Sequence, residues 1–541
     1  MNLTNLFLFL LAFIILIVPT GKHISKLIIH EKTICDSFFS KIEKPIFLIT
    51  KIENMSLKDY ILAFLGANLF MFILTYVILA VEGSSPSLAF NTAVSFITNT
   101  NLQHYSGEWL NGMGSRLALI NLMFTSAASG LAICMAIARG ILGYRLGNFF
   151  EDLTKSTTRV LLPMALGVAI VLVILGLPQT FETQTVVKTL EDKYQVIALG
   201  PAAAWEAIKH LGTNGGGLFS ANSSHPFENV SLYTNYIEMM CMMIIPGAIV
   251  MGFGMAAKNK KQGWFIFIPI FLLFLLSLFV LYYFEKQGTP MFTQYGMKGI
   301  NMEGKEMRFG LLASILFTDV TTSFTTGSVN NMHDSLTPMG GLVPLWNMML
   351  NCIFGGKGVG FMNIIMYMIL SVFLCGLMVG RTPEFFGKKI EAKEIQIITF
   401  LILVHPIIIL VPSAISLVCE MGSSAITNGG FHGVSQVLYE YTSSAANNGS
   451  GFEGLGDGTT FWNITTGIVM FLGRYISMAL MVVVGYSMYK KQSVPITSST
   501  FKTDNLVFSF ILFFIILIIG ALTFLPALAL GPIAEHLSIW G

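Results

Sequence analysis

Charged residues are scarce in this sequence of 541 residues. Only 11% of the residues are Asp, Glu, Lys or Arg, whereas 54% are hydrophobic. A soluble domain of ordinary composition carries about 25% charged residues. This scarcity excludes a soluble globular protein and indicates an all-α polytopic membrane protein. The formal net charge of +2 is too small to indicate a protein that binds nucleic acid.

Cysteine pairs and nucleotide-binding motifs are also absent. The six cysteines form no CxxC pair and mostly lie in apolar segments, so they indicate neither a disulfide framework nor a metal cluster. The sequence has no Asp-Lys-Thr-Gly phosphorylation motif and no Walker A motif. The glycine-rich run 355–360 contains Lys357, but no Ser or Thr follows this lysine. We therefore predict that the chain binds no nucleotide and is not an enzyme by itself.

Long apolar segments recur along the whole sequence, most of them without a charge. Each is close to the length of about 20 residues that a helix needs to cross a bilayer. If a stretch broken at 355–360 counts as one discontinuous span, the sequence predicts ten transmembrane helices: 3–18, 61–81, 117–138, 160–177, 237–257, 264–284, 341–379, 395–418, 464–489 and 506–525. The first segment lacks a basic flank and an A-x-A site, so we predict a spanning helix there instead of a cleaved signal peptide.

Four short polar loops separate these segments at a nearly constant spacing. The steps between them are 114, 112 and 122 residues when measured on Asn101, Gly215, Gly327 and Gly449. Such a period indicates an internal repeat. Before each loop we predict a helix too short to span the membrane, with its negative C-terminal end directed toward the loop. The clearest two start at Pro86 and Pro201, because proline suits the first helical turn.

The residue types in these loops are those that bind a dehydrated cation. At membrane depth the available ligands are carbonyl, hydroxyl and amide oxygens, and glycine permits the backbone angles that aim carbonyls at one axis. Asn101 replaces glycine in the first loop, because asparagine tolerates the left-handed region. An alternative, four glycine-rich turns without an ion, is disfavoured by four loops in register. The candidate potassium filter comprises Asn99, Thr100, Asn101, Gln103, Thr213, Asn214, Gly215, Thr325, Thr326, Gly327, Asn447, Asn448 and Gly449.

Basic residues predict the orientation of the chain and two intramembrane sites. If the loop 22–58 is cytoplasmic, 21 basic residues lie on that side and eight on the other, which places the four polar loops outside. Lys357 and Arg474 remain within the membrane, where charge is costly and usually functional, so both are candidate gate or barrier residues. Their alternatives are a lysine satisfied by helix-end carbonyls and an arginine paired with a carboxylate or with carbonyls. We predict Glu238 and Glu420 as anchored helix ends.

Three histidines, at positions 104, 225 and 333, each follow a polar loop by a few residues. A zinc site needs three or four ligands that converge at short range. We predict instead that these histidines bond to the loop backbone.

Several longer runs resemble the signatures of a known family. They are 213–229, Thr321–Gly341 (TTSFTTGSVNNMHDSLTPMGG), Thr442–Gly454 (TSSAANNGSGFEG) and Thr98–Gln103 (TNTNLQ). Together they resemble the signatures of the KdpA family, the potassium-binding subunits of the Kdp-type potassium-transporting ATPases of bacteria. This family is related to the Trk/Ktr/HKT potassium transporters. The resemblance covers essentially the whole chain. It implies four helix–pore loop–helix repeats around one selectivity filter and an extra helix at each end.

The resemblance also implies an organisation, an ion and partners. The transported ion is K⁺, and the location is the plasma membrane of a bacterium, with the filter loops facing outside. The partners are a P-type ATPase subunit (KdpB-like), an accessory subunit with one span (KdpC-like) and often a small KdpF-like peptide. The predicted divisions are 1–58 (extra helix and basic cytoplasmic loop), 59–145, 146–260, 261–392 and 393–492 (repeats 1 to 4, the third with a broken second helix), and 493–541 (extra helix).

A second hypothesis is a stand-alone potassium channel or symporter of the Trk/Ktr class, driven by the membrane potential. The extra helices at 3–18 and 506–525 and the identity of the motifs argue against it. A requirement for ATP in uptake by a reconstituted complex distinguishes the two.

Overall fold

The fold is almost entirely helical in the computed structural model, which describes residues 2–34, 36–50, 53–109, 112–296, 300–378, 380, 382–493 and 501–541. Cys35 and the basic residues Lys51, Lys298 and Arg381 lie outside the described residues, as do residues 494–500. The helices are α1 (Leu3–Ile28), α2 (Asp36–Thr50), α3 (Leu57–Val81), α4 (Pro86–Ile97), α5 (Met113–Leu142), α6 (Phe149–Ser156), α7 (Leu162–Ile174), α8 (Ala202–Leu211), α9 (Leu232–Ala256), α10 (Lys260–Gln287), α11 (Pro290–Gln294), α12 (Leu311–Ser323), α13 (Pro338–Leu350), α14 (Val359–Met378), α15 (Ala392–Val418), α16 (Glu420–Ser423), α17 (Phe431–Ala446), α18 (Thr460–Lys490), α19 (Leu506–Leu528) and α20 (Ala534–Trp540).

The strands form two small antiparallel hairpins. One joins β1 (Gln184–Lys188) to β2 (Tyr194–Ala198), and the other joins β3 (Glu384–Phe385) to β4 (Lys388–Lys389). Both hairpins belong to the connections between helices.

Ten helical segments of the described chain are long and apolar enough to cross a membrane, which confirms the predicted number. They are α1, α3, α5, α6 with α7, α9, α10, α14, α15, α18, and α19 with α20. Helix α1 continues ten residues beyond its predicted end at Val18, because Ile24, Leu27 and Ile28 are buried and extend its packed face. Two π-helical turns, 157–161 and 529–533, join α6 to α7 and α19 to α20.

Four short helices, α4, α8, α12 and α17, precede the four polar loops. Helix α4 has Pro86 in its first turn, and the Ser85 hydroxyl accepts a hydrogen bond from the Leu88 N–H at 3.4 Å. Helix α8 begins at Ala202, so Pro201 precedes the first turn instead of lying in it. At its C-terminal end, α17 stops at Asn447, whose φ of 55° turns the chain out of the helix.

Close contacts between helices depend on small residues. A Cβ atom at Gly21 of α1 would lie 2.9 Å from the Ala248 carbonyl oxygen of α9, so the two backbones touch here. The discontinuous span is also present. Helix α13 ends at Asn351, which has a φ of 45°, and α14 begins only at Val359. The residues between them form an irregular loop within the helical bundle.

Candidate functional site

Each polar loop contains a residue in the left-handed backbone region near its start. The φ angles are 63°, 48°, 48° and 55° at Asn99, Thr213, Thr325 and Asn447. These positions repeat with the same steps of 114, 112 and 122 residues. Left-handed backbone is disfavoured for residues other than glycine, above all for β-branched threonine. Its recurrence at four equivalent positions therefore indicates that the chain leaves each of the four short helices by the same turn.

Three glycines lie where the four loops come together. A Cβ atom at Gly215 would lie 2.7 Å from the Thr100 carbonyl oxygen and 3.0 Å from the Asn448 carbonyl oxygen. A Cβ atom at Gly327 would overlap the Asn448 carbonyl, and one at Gly449 would overlap the Thr100 carbonyl. Because each glycine faces the backbone of another loop, all four loops meet around a common centre.

The glycines serve two different needs. Gly327 and Gly449 have φ angles of 88° and 107°, and Asn101 has 55°, so these three adopt the left-handed region. Gly215 does not have a positive φ. The prediction that the loop needs glycine here for an unusual backbone angle is therefore wrong for Gly215. It lacks a side chain because the carbonyls of two neighbouring loops approach it closely.

Amide side chains join the loops to one another. Asn99 donates through Nδ2 to the Thr213 carbonyl at 2.7 Å and to the Gly212 carbonyl at 3.1 Å. Asn447 donates to the Thr100 hydroxyl at 3.1 Å. Asn448 donates to the carbonyl of Thr321 at 2.9 Å. Thr321 belongs to α12, one of the four short helices before the loops, which we call pore helices. These bonds connect the loops around the centre and fix the positions of their carbonyl groups.

Other polar atoms of the loops have no hydrogen-bond partner within the described part of the chain. They are both amide atoms of Asn101, Oδ1 of Asn214 and Oγ1 of Thr326. A buried, unsatisfied polar group costs about 1–3 kcal/mol. The described loops thus contain buried oxygens that no protein group satisfies. Carbonyl, amide and hydroxyl oxygens are the ligand types that can replace the hydration shell of a monovalent cation, so these loops are a candidate ion site.

Gln103 braces the first and second loops. Its Oε1 accepts hydrogen bonds from the Gly217 N–H at 3.0 Å and from Asn222 Nδ2 at 2.8 Å. Its Nε2 donates to the Phe219 carbonyl at 3.2 Å. Asn222 also donates to the Gly215 carbonyl at 2.8 Å. Both ends of the Gln103 amide are engaged, so its position favours a supporting contact over direct contact with an ion.

The loop that breaks the third repeat lies against the second and third polar loops. The Gly355 N–H donates to the Ser323 carbonyl at 2.9 Å, and the Lys357 N–H donates to the Thr213 hydroxyl at 3.0 Å. A Cβ atom at Gly356 would lie 3.4 Å from the Thr325 carbonyl oxygen. The run 355–358 therefore packs on the loops near their left-handed residues.

Lys357 and Arg474 lie near each other in this region. A Cβ atom at Gly130 of α5 would lie 2.5 Å from the Lys357 carbonyl oxygen and 3.0 Å from Nη2 of Arg474. Arg474 is buried and donates to the Ser126 carbonyl at 3.1 Å. The Lys357 ammonium is fully buried and has no hydrogen-bond partner among the described residues. The Lys357 backbone and the Arg474 guanidinium thus both lie against Gly130 of α5.

The histidines bond differently from the prediction. His225 accepts a hydrogen bond from the Phe227 N–H at 3.1 Å, as a loop-bracing histidine should. For the other two, the prediction of backbone bonding is wrong. His104 Nε2 lies 3.1 Å from Glu440 Oε1, and His333 Nδ1 lies 2.8 Å from the Tyr439 hydroxyl. Helix α17 supplies both partners, which are 336 and 106 residues away in sequence.

A buried charge cluster behind the second loop was not predicted. Lys209 Nζ lies 2.6 Å from Glu206 and 2.7 Å from Glu228, and all three side chains are fully buried. Nε2 of His210 lies 3.5 Å from Glu238 Oε2. Glu238 is thus an interior residue of α9 and not the anchored helix end that we predicted. A signal was present in the sequence, because Glu206, Lys209 and His210 share one face of a short helix at spacings of three and four residues.

The family model and a curated relative indicate one family, and a solved structure shows a similar fold. The family model described as "KdpA: Potassium-transporting ATPase A subunit" matches residues 7–537. A "Potassium-transporting ATPase potassium-binding subunit" of Geobacillus kaustophilus (strain HTA426) is 53% identical over 551 residues, which cover 98% of each chain. Among solved structures, the potassium transporter TrkH from Vibrio parahaemolyticus is similar in fold, with a TM-score of 0.52 and 15% identity over 80% of this chain and 86% of TrkH.

Proposed function

Because the chain belongs to the family of potassium-transporting ATPase A subunits, we propose that it is the potassium-binding and ion-selecting subunit of an ATP-driven, high-affinity potassium uptake complex. The observation that carries the proposal is the meeting of the four loops around Gly215, Gly327 and Gly449. A stand-alone Trk/Ktr-like channel or symporter receives less support, since the likeness to TrkH concerns the fold alone.

In this proposal K⁺ binds among the backbone carbonyl and hydroxyl oxygens of the four loops. The closely packed carbonyls of Thr100 and Asn448 contribute to the site, with Gly215, Gly327 and Gly449 providing the space. Asn99, Asn447 and Gln103 hold the loops at a fixed spacing. The C-terminal ends of the four pore helices add partial negative charge near the ion, which favours a cation over an anion.

The loop 355–358 and the two cationic residues beside it provide a barrier to straight passage. A fixed positive charge on a path of low dielectric repels a permeating cation. Lys357 and Arg474 are both buried, and the Lys357 backbone and the Arg474 guanidinium lie against Gly130 of α5. The ion would then leave sideways, toward a P-type ATPase subunit, which supplies the energy of ATP hydrolysis. The absence of nucleotide-binding motifs from this sequence supports such a division of labour.

The proposed complex lies in the plasma membrane of a bacterium, with the filter loops outside. Besides the KdpB-like ATPase, its partners are a KdpC-like subunit and a small KdpF-like peptide. Within this chain the four repeats occupy 59–145, 146–260, 261–392 and 393–492, flanked by the helices of 1–58 and 493–541. Each proposed repeat contains one of the pore helices α4, α8, α12 and α17, which supports these boundaries.

Flux measurements in proteoliposomes test the proposal. With the full complex, K⁺ should accumulate against its gradient only when ATP is supplied. Proteoliposomes that contain this chain alone should accumulate no K⁺ against a gradient. Uphill accumulation by the chain alone would show that it is a self-contained transporter.

A pair of glycine variants tests the location of the ion site. Gly449→Ala introduces a Cβ atom that overlaps the Thr100 carbonyl at a φ of 107°. It should weaken K⁺ binding about tenfold or more, equivalent to about 1.4 kcal/mol, and reduce the preference for K⁺ over Na⁺. Gly429→Ala is the matched control, because a Cβ atom there meets nothing within 4 Å. Equal affinity and selectivity in the two variants would remove Gly449 from the filter.

A further inference from the structure

A second group of potential ligands lies beside the first polar loop. His104 follows the loop, Glu440 belongs to the pore helix α17, and Asp457 lies in the connection between α17 and α18. Their ligand atoms all lie within 4.8 Å of one another. We propose that His104, Glu440 and Asp457 form a binding site for a divalent transition-metal ion of the Zn²⁺ type, separate from the potassium filter.

The distances in this group match the geometry of zinc. Zinc binds imidazole nitrogen and carboxylate oxygen at about 2.0–2.2 Å, so neighbouring ligand atoms of a tetrahedral site are roughly 3.3–3.6 Å apart. Here Nε2 of His104 lies 3.1 Å from Glu440 Oε1 and 3.8 Å from Asp457 Oδ2. The remaining pair, the carboxylates of Glu440 and Asp457, lies within 4.8 Å, so binding a metal ion requires the partly exposed Asp457 to move toward Glu440. One imidazole and two carboxylates also suit a transition metal better than K⁺.

The surroundings of His104 already have the form of a second ligand shell. His104 Nδ1 lies 2.8 Å from Asn463 Oδ1, and Asn463 Nδ2 donates to Ser87 Oγ at 3.3 Å. The second bond orients the amide so that its oxygen faces the imidazole. His104 therefore carries a proton on Nδ1 and directs Nε2 toward the carboxylates. Metal-binding histidines are usually held in this way by an acceptor at the other ring nitrogen.

An unsatisfied oxygen gives independent evidence for a missing ligand. Oε2 of Glu440 is buried, and no described residue forms a hydrogen bond with it. The Glu440 side chain is fully buried, whereas the Asp457 side chain is 27% exposed. Asp457 thus provides access from the protein surface. Two carboxylates with one neutral imidazole carry two negative charges, which one divalent cation neutralises.

Without a metal ion, a proton on the imidazole neutralises part of the negative charge of the two carboxylates. This proton binds at low pH to Nε2 of His104, which faces both carboxylates. A metal ion must displace this proton, so its affinity increases with pH. Binding should therefore be measured at pH 8.

The other buried triad of this kind, Glu206, His210 and Glu238, differs in an instructive way. The Lys209 ammonium lies 2.6 Å from Glu206 and supplies a fixed positive charge. All three side chains are buried, so no member provides access from the surface. A metal ion would have to compete with a lysine that the fold has already placed. We therefore assign the metal only to the group around His104.

Zinc stoichiometry of the purified full-length chain tests the site. After equilibrium dialysis against Zn²⁺ at pH 8, the wild-type chain should retain one more equivalent of zinc than Asp457→Asn or His104→Gln. Asp457→Asn keeps the size of a partly exposed side chain and should fold normally. His225→Gln is the matched control, because His225 also follows a polar loop but bonds to backbone, and it should retain the wild-type stoichiometry.

Cobalt provides a second readout. Co²⁺ should give the visible absorption of a four-coordinate site in the wild-type chain and in His225→Gln, and lose it in Asp457→Asn. Equal zinc content in Asp457→Asn and the wild-type chain would overturn the assignment. So would a cobalt spectrum that the substitution leaves unchanged.

Discussion

Two buried lysines on different sides of the polar loops have opposite surroundings. Lys209, behind the second loop, lies within 2.7 Å of two carboxylates and donates to Asn222 Oδ1 at 2.9 Å. Lys357, beneath the loops, is equally buried, yet its ammonium has no hydrogen-bond partner among the described residues. Burial of an unpaired ammonium costs several kcal/mol. The first lysine therefore stabilises the fold, whereas the second reduces stability and is the residue proposed above as a barrier.

The largest effect should follow from removal of the paired lysine. Lys209→Met leaves the carboxylates of Glu206 and Glu228 buried without a counter-charge. We expect a loss of about 3–5 kcal/mol in the free energy of unfolding. Thermal or denaturant unfolding in detergent measures it. Lys193→Met is the control, because Lys193 pairs with Glu191 at the exposed surface and should contribute nothing measurable. Similar stabilities of the two variants would contradict a structural role for Lys209.

Removal of the unpaired lysine should change function instead of stability. Lys357→Met replaces a buried ammonium with an apolar chain of similar length, so stability should stay equal or rise by about 1–3 kcal/mol. If Lys357 is a barrier, reconstituted complexes should hydrolyse ATP with less net K⁺ uptake, or leak K⁺ passively. The measurements are K⁺ flux and ATP turnover in the same proteoliposomes. An unchanged ratio without a leak would exclude the barrier role, whatever the stability.

The comparison also shows how far sequence alone predicts this molecule. The ten spans follow from the length of the apolar segments, and the four loops follow from a repeat of more than 100 residues. Neither feature depends on how the side chains pack. Lys209 shares one face of a short helix with Glu206 and His210, but this spacing does not show that the face is buried. Its partner Glu228 lies 19 residues later, beyond the reach of helical periodicity. Only the fold brings the two together.

Carboxylates occur at equivalent positions in two of the four pore helices. Glu206 precedes Thr213 by seven residues, and Glu440 precedes Asn447 by seven residues. Thr92 and Thr318 take this position in the other two, and both are buried. The second and fourth short helices therefore carry a buried carboxyl group at this position, and the first and third carry a buried hydroxyl group. This alternation of carboxyl and hydroxyl groups can be recognised only after the repeats are aligned on their left-handed residues, Asn99, Thr213, Thr325 and Asn447.

Gln103 connects the Lys209 cluster to the first loop. Asn222 donates to Gln103 Oε1 and accepts from Lys209 Nζ, so the amide lies two contacts from the buried ammonium. Gln103→Arg adds a second cation there and removes the acceptor for the Gly217 N–H. We expect K⁺ binding to weaken about tenfold, or about 1.4 kcal/mol. Gln103→Glu keeps the acceptor without a positive charge and should be milder. Wild-type affinity in Gln103→Arg would separate this residue from the ion site.

The smallest expected effect on stability concerns a third charge cluster, in which the cation is a histidine that can lose its proton. His432 lies 3.0 Å from Asp334 and 2.9 Å from Glu535, and links α17 to α20. Although burial lowers it, these carboxylates raise the pKa of His432 from 6.5 to about 9. A raised pKa means that the cluster stabilises the fold fully below pH 6.5 and loses this contribution as pH rises through 9. Because the imidazole is partly exposed, we expect a contribution on the order of 1 kcal/mol.

Unfolding curves of the wild-type chain and His432→Gln at pH 6 and pH 10 measure this contribution. The difference in stability between the two chains should be present at pH 6 and absent at pH 10. The corresponding difference for Lys209→Met should persist at both values, because a lysine held by two carboxylates remains charged when a histidine has lost its proton. If His432→Gln instead cost the same free energy at pH 6 and pH 10, His432 would contribute through packing and not through its charge.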